Sequence, residues 1–178
     1  MKQSILNTFT LCIVSILFSY CNPSKIISNK SPDFNQTVSK IFITVKCSDR
    51  SMKLIKSMTN SLIEKLELHG VESTAYIVNP LSLDPNKEVA DIINTFNPDV
   101  VMIFQQTESI ISSSSSFSRG GETYSAWDIK LVPYNQDKIV WRASFKASYG
   151  GSPDISYNAK GYAQQIVDKL ISDNIILK

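Results

Sequence analysis

The sequence predicts an α/β domain whose mixed β-sheet is built in two or three layers, in the order β-α-β-α-β-β-β-α. The first strands are parallel, and an antiparallel hairpin and a helix close the chain. Three observations predict this. Three apolar, largely β-branched runs are separated by two stretches with helical spacing; strict apolar–polar alternation replaces that pattern after residue 121; and a last helical stripe follows.

The first strand begins at Lys40. Ile41-Phe42-Ile43-Thr44-Val45 is apolar at nearly every position, as a strand covered on both faces requires. Ser48-Asp49 then offers a helix cap, and Ile55, Met58, Leu62 and Leu66 recur along one helical face until Gly70 stops it. A second strand covers residues 72–78. Asp84-Pro85 supplies a capping carboxylate and a proline for the first helical position, Val89, Ile92, Ile93 and Phe96 form the stripe expected to be buried, and Asn97-Pro98 ends the helix. Val100-Val101-Met102-Ile103-Phe104 is the expected central strand, continuing in more polar form through Ile110-Ile111. Right-handed crossovers make these three strands parallel.

Trp127, Ile129 and Leu131 alternate with Asp128 and Lys130, and Ile139, Trp141, Ala143 and Phe145 alternate likewise beyond Asn135-Gln136-Asp137. This is a hairpin with one wet face and both tryptophans in the core. Ser152-Pro153-Asp154 opens the last helix, with Ala159, Tyr162, Ala163, Ile166 and Leu170 facing inward. Gly161 weakens its interior, and close packing is the expected reason.

The chain has 178 residues and a formal net charge of +2. It lacks the concentrated basic charge of a nucleic-acid binder, and 43% hydrophobic residues is too many for a disordered chain. Lys2 is the only charge among the first 24 residues, and the apolar stretch of residues 5–18 ends at Ser19-Tyr20-Cys21-Asn22-Pro23. That is the layout of a secretory signal peptide, and it is shorter than a spanning helix. Leu17-Phe18-Ser19-Tyr20-Cys21 resembles the lipobox of bacterial lipoproteins, with Tyr20 where that family usually has a small residue. The resemblance implies a signal peptide over residues 1–20, cleavage before Cys21 and a diacylglyceryl group on the Cys21 thiol. The polar residues 21–39, with Pro23 and Pro32, read as a lipidated start and flexible tether, and residues 40–178 as the folded domain. The expected location is the periplasmic side of the outer membrane.

Of the three cysteines, Cys12 falls in the cleaved segment and Cys21 takes the lipid. Cys47 is left without a disulfide partner and reads as a small buried residue. The element order, ending in Ala163-Gln164-Gln165-Ile166-Val167-Asp168-Lys169-Leu170 and then Asp173-Asn174-Ile175-Ile176, resembles several envelope proteins. These are the N-terminal domain of the Tol-system propeller protein, the activator lipoproteins of penicillin-binding proteins and the curli-secretion lipoprotein. The resemblance implies a role in binding or assembly.

The minimal motifs of nucleophilic hydrolases, phosphate loops, dinucleotide folds, zinc proteases and dithiol redox proteins are missing, so no catalytic, cofactor or metal residue is expected. His69, the single histidine, reads as a basic group meeting a helix C-terminus. Glu108, Glu122 and Asp128 are scattered acids. In the Ser-rich stretch of residues 112–121, Phe117 and Arg119 are the residue types that anchor interfaces, and Tyr124 and Tyr134 flank the hairpin as extensions of such a surface. The expected function is therefore a non-enzymatic, membrane-tethered lipoprotein that binds an envelope protein or glycan. Two alternatives stay open: an enzyme acting on an envelope polymer through a carboxylate pair, and a structural subunit of a lipoprotein oligomer. The sequence specifies neither the partner nor the oligomeric state.

Overall fold

Alternation along each strand sorts the side chains onto two faces that meet very different surroundings. The computed structural model describes residues 26–112, 122–149 and 155–178. Within them run strands β1 (Ile27–Lys30), β2 (Lys40–Lys46), β3 (Glu72–Ile77), β4 (Val100–Ser112), β5 (Glu122–Pro133) and β6 (Trp141–Tyr149), with helices α1 (Met52–Leu68), α2 (Pro85–Phe96) and α3 (Ile155–Ser172). The six strands form one sheet in the order β1-β6-β5-β4-β2-β3. As expected, β2 is parallel to both β3 and β4, and the other pairings are antiparallel.

On the inner face the register stacks apolar rows across the sheet. Val45, Phe104, Ile129 and Ala143 form one row, and Ile43, Met102, Leu131 and Trp141 another. All eight are buried. Leu54, Ile55, Met58, Leu62 and Leu66 of α1, with Ala159, Ala163, Ile166, Val167 and Leu170 of α3, complete this core. Small Ala at two of the α3 positions lets that helix lie close to α1. Trp127, Phe145 and Tyr162 extend the core as a chain of ring contacts at 6.5 and 5.5 Å. Both tryptophans are 1% exposed, as the alternation predicts.

Helix ends follow local chemistry. Gly70, at φ +71°, reverses the chain after α1, and Gly70 N–H and Val71 N–H donate to the carbonyls of Glu67 and Leu66, closing the helix. Asp84 accepts from the Lys87 N–H at 3.1 Å ahead of Pro85, and Asn97 ends α2 in the left-handed region at φ 50°. At the start of α1 the expected cap fails. A 3-10 turn, Asp49–Ser51, comes first, and Ser48 Oγ donates instead to Gln106 Oε1 at 3.0 Å.

Residues 26–39 correct the expected tether. Ile26, Phe34 and Val38 are buried, and β1 pairs with β6 at the sheet edge. Val38 N–H donates to the Ile175 carbonyl, and Asp99 accepts from Ser39 N–H, Ser39 Oγ and Lys40 N–H at 2.8–2.9 Å. The folded domain therefore includes residues 26–39 and does not start at Lys40. Composition hid this because three spaced apolar residues and a four-residue edge strand carry no periodicity of their own.

Helix α2 lies on the outer face over β2, where Phe96 meets Phe42 at 6.4 Å and Lys40 Nζ stands 4.5 Å from the Phe96 ring centroid. None of its residues is buried, so Val89, Ile92, Ile93 and Phe96 are only half covered, against expectation. Ile139 is also displaced from its expected inward position: it is exposed, and Val140 is buried in its place just before β6. Gly161 needs no close packing, since a Cβ there meets nothing within 4 Å. The expected helix opening at Ser152-Pro153-Asp154 lies outside the described residues.

Candidate functional site

Because α1 and α3 share the inner face and α2 reaches only the β2–β3 side of the outer one, no helix among the described residues covers the outer face over β5, β6 and β1. A groove of about 650 Å³ lies there, lined by Ile27 and Asn29 of β1, Ala126 and Asp128 of β5, and Arg142 and Ser144 of β6. Thr107 also reaches it, from a bulge in β4 between Gln106 and Glu108. The extra residue resets the alternation of β4, so that Ile110 pairs with Tyr124 on the outer side.

Asp128 is the polar centre of this groove and corrects the expected wet face, because it is only 5% exposed. Arg142 grips it in bidentate fashion, Nε to Oδ1 at 2.7 Å and Nη2 to Oδ2 at 3.0 Å, and Lys130 Nζ stands 3.2 Å from Oδ2. Burial alone raises the affinity of the Asp128 carboxyl for a proton, but hydrogen bonds from Arg142 and Lys130 and their charges outweigh it and hold the group below the usual carboxylate range. The same hydrogen bond and charge push Arg142 up. A carboxylate so neutralised stays ionised, unlike a general acid, whose pKa must rise. With Lys146 also in its lining, the groove offers donors and acceptors around a net positive charge.

A second cavity, of about 340 Å³, opens between Lys46-Cys47-Ser48 at the carboxyl end of β2 and residues 105–109 in the middle of β4. The chain leaves these two strands in opposite directions, and in open α/β sheets that crevice receives ligands. Here Gln106 bridges it, accepting from Ser48 N–H and Oγ and donating to Ser51 Oγ at 2.9 Å. Cys47 is half-buried, and burial followed by the charge of Asp49 pushes its thiol up, away from the thiolate a nucleophile needs.

Cys21, Phe117 and Arg119 lie outside the described residues. Tyr124 is exposed near the start of β5, whereas Tyr134 follows the end of that strand and donates to Asn94 Oδ1 of α2 at 2.7 Å. The two tyrosines therefore do not extend one surface, contrary to expectation. His69 caps the C-terminal end of α1. Glu108 sits beside the bulge, and the side chain of Glu122 is not among those described. Among the described residues, no group of three or more His, Cys, Asp or Glu side chains gathers as metal ligands would. The groove was missed in the sequence, although the hairpin register that sets Lys130 opposite Arg142 was its available signal.

No family model and no curated protein matches the chain. Solved structures do. The chain is similar to the PelC dodecamer from Paraburkholderia phytofirmans at 12% identity, covering 87% of this chain and 99% of that one, with a TM-score of 0.54. It is also similar to a lipoprotein from Neisseria meningitidis at 17% identity, covering 75% and 99% of the two chains with a TM-score of 0.47. For a minor lipoprotein from Acinetobacter baumannii the identity is 10%, the coverage 79% and 96%, and the TM-score 0.46. Bacterial lipoproteins thus recur among the structural neighbours, and what the PelC likeness shows for this chain is the fold.

Proposed function

We propose that this chain is a lipid-anchored protein of the bacterial envelope, carried on Cys21 at the periplasmic side of the outer membrane, that works by assembly and not by catalysis. The observation that carries the assembly role is an uncovered apolar surface around α2. Its stripe is half-exposed, Leu81 and Leu83 in the loop before it are 85% and 103% exposed, and the neighbouring β3 is an edge strand of the sheet that the described residues form. Exposed apolar side chains beside an open strand edge and an amphipathic helix mark a surface that another subunit covers. The dodecameric state of PelC supports the same reading, with a second copy as the covering partner.

The anchor rests on the apolar approach Leu17-Phe18-Ser19-Tyr20 to Cys21, and no helix among the described residues is long and apolar enough to cross a membrane. The paired and neutralised state of Asp128 supports a non-enzymatic role. The groove favours a second reading, glycan binding, because Asn29, Ser144 and the Asp128–Arg142 pair set polar groups beside the exposed Ile27.

Light scattering of the detergent-solubilised full-length protein tests the assembly reading. A multimer is expected. The double variant Leu81→Asp/Leu83→Asp should dissociate it, since removing two buried leucines costs an interface about 3 kcal/mol or more, over a hundredfold in Kd. A parent protein that is monomeric at all concentrations, or a variant that assembles as the parent does, overturns the reading.

A further inference from the structure

We infer that the outer side of the β4–β5 hairpin, at Ile110 and Tyr124, lies against the lipid bilayer, so that the domain stands on this end and points its β5–β6 connection away from the membrane. The inference deepens the proposed function and rests on Cys21 being the anchor.

The carrying observation is the shortness of the connection. With β1 folded into the sheet, Cys21 stands only six residues before Ile27. Six residues span at most about 20 Å, against about 60 Å for the full stretch of residues 21–39 had it been free. Register fixes the heights. Ile27 pairs with Ser144, which lies in the row of Asp128 and Gln105. From that row the Ile110–Tyr124 pair is four rows up, about 13 Å, and the last pair of the hairpin, Ser112 with Glu122, is six rows up, about 20 Å. The chain enters β1 from this upper side, since β1 runs down the sheet from Ser144 towards Trp141.

The opposite end lies at the limit of that reach. Its last row, Val100 with Pro133, lies five rows below Ile27, about 17 Å, and the β5–β6 connection extends past it. A chain coming from above would have to turn back and run the length of β1, and it would have no residue left to pass Tyr134 and Ile139. The anchor therefore draws the hairpin end to the membrane and holds it there.

The side chains at that end suit the headgroup boundary. Ile110 is 57% and Tyr124 41% exposed, on adjacent strands and on the same face. An aliphatic side chain beside a tyrosine is the pairing that settles where hydrocarbon meets water, the ring in the boundary and the hydroxyl outward.

The test uses the full-length protein purified with its native N-terminus, its mass measured, and incorporated into phosphatidylethanolamine–phosphatidylglycerol vesicles. In a Cys47→Ala background, an environment-sensitive fluorophore is attached at Ile110→Cys or, at the far end, at Ile139→Cys. Both parent side chains are exposed, so neither label disturbs the core. Headgroup-level nitroxide lipids should quench the label at position 110 at least about twofold and leave the label at 139 unchanged. Quenching at 139 but not 110, or equally at both, overturns the orientation. A blue shift at 110 without lipid quenching assigns the hairpin to a protein partner and also overturns it. If the measured mass shows Cys21 unmodified, the anchor itself fails and the orientation with it. That outcome is read from the mass and is distinct from a reversed quenching pattern on lipidated protein.

Discussion

Phe34→Ala lowers the unfolding free energy by about 3 kcal/mol, the lower end of the range for truncating a buried phenylalanine. Phe34 is 7% exposed and belongs to the main core together with Ile26 and Val38, so its removal opens a void between the entering chain and the rest of the domain. The Lys30 ammonium, 5.9 Å from the ring centroid, loses its aromatic partner as well. Were residues 26–39 a free tether, the same substitution would move stability by less than about 0.5 kcal/mol. Urea denaturation at neutral pH, with the m-value compared between parent and variant, separates the two cases.

Asp173→Ala is the second large effect, a loss of about 3 kcal/mol at neutral pH, because it strips acceptors from groups that cannot all turn to water. Asp173 follows α3 and receives Ser28 Oγ from β1, Trp141 Nε1 from β6 at 2.7 Å and Lys169 Nζ from the preceding helical turn at 2.9 Å. The indole N–H of Trp141, a residue 1% exposed, would be left unpaired. Burial by itself pushes the Asp173 carboxyl up, but hydrogen bonds from Ser28, Lys169 and Trp141 outweigh it and hold the group below its ordinary value. Its folded pKa is thus lower than its unfolded one, near 3.9, so its contribution is complete above that value and fades as pH falls through the folded pKa. The gap in stability between parent and Asp173→Ala should therefore narrow in acid, below about pH 4. A gap that stays constant down to full protonation would show that the carboxylate charge plays no part in the network. Trp141→Phe, which keeps most of the packing and removes the donor, should lower the cost of the Asp173→Ala substitution when the two are combined.

Which parts of the molecule were legible in the sequence follows from how local each cause is. Asp84-Pro85 and Asn97-Pro98 bracket α2 in the structure as in the sequence, because a cap and a proline act on their own backbone. The apolar runs at residues 41–45 and 100–104 predicted parallel central strands because covering on both faces leaves no room for polar residues. Ile27–Lys30 was illegible for the opposite reason. Ile-Ser-Asn-Lys has no pattern of its own, and what holds it is the free edge of β6 and the Asp173 carboxylate, more than a hundred residues away. Ser48 was misplaced as a cap because Gln106, on a distant strand, competes for its hydroxyl. The half-covered stripe of α2 was read as buried, since periodicity tells which face of a helix is apolar but not how much sheet lies beneath it. Asp128 illustrates the same limit. Alternation set it on the polar face, and only the strand register supplied the Arg142 that buries and neutralises it.

The most direct measurement is the intact mass of the protein extracted from bacterial membranes, with fragmentation of its N-terminal peptide. A chain beginning at Cys21 and carrying a thioether-linked diacylglyceryl group is the expected result, and it would leave only five residues between the lipidated cysteine and the first strand. A chain that begins elsewhere, or a Cys21 without lipid in protein that still sediments with membranes, would contradict the account.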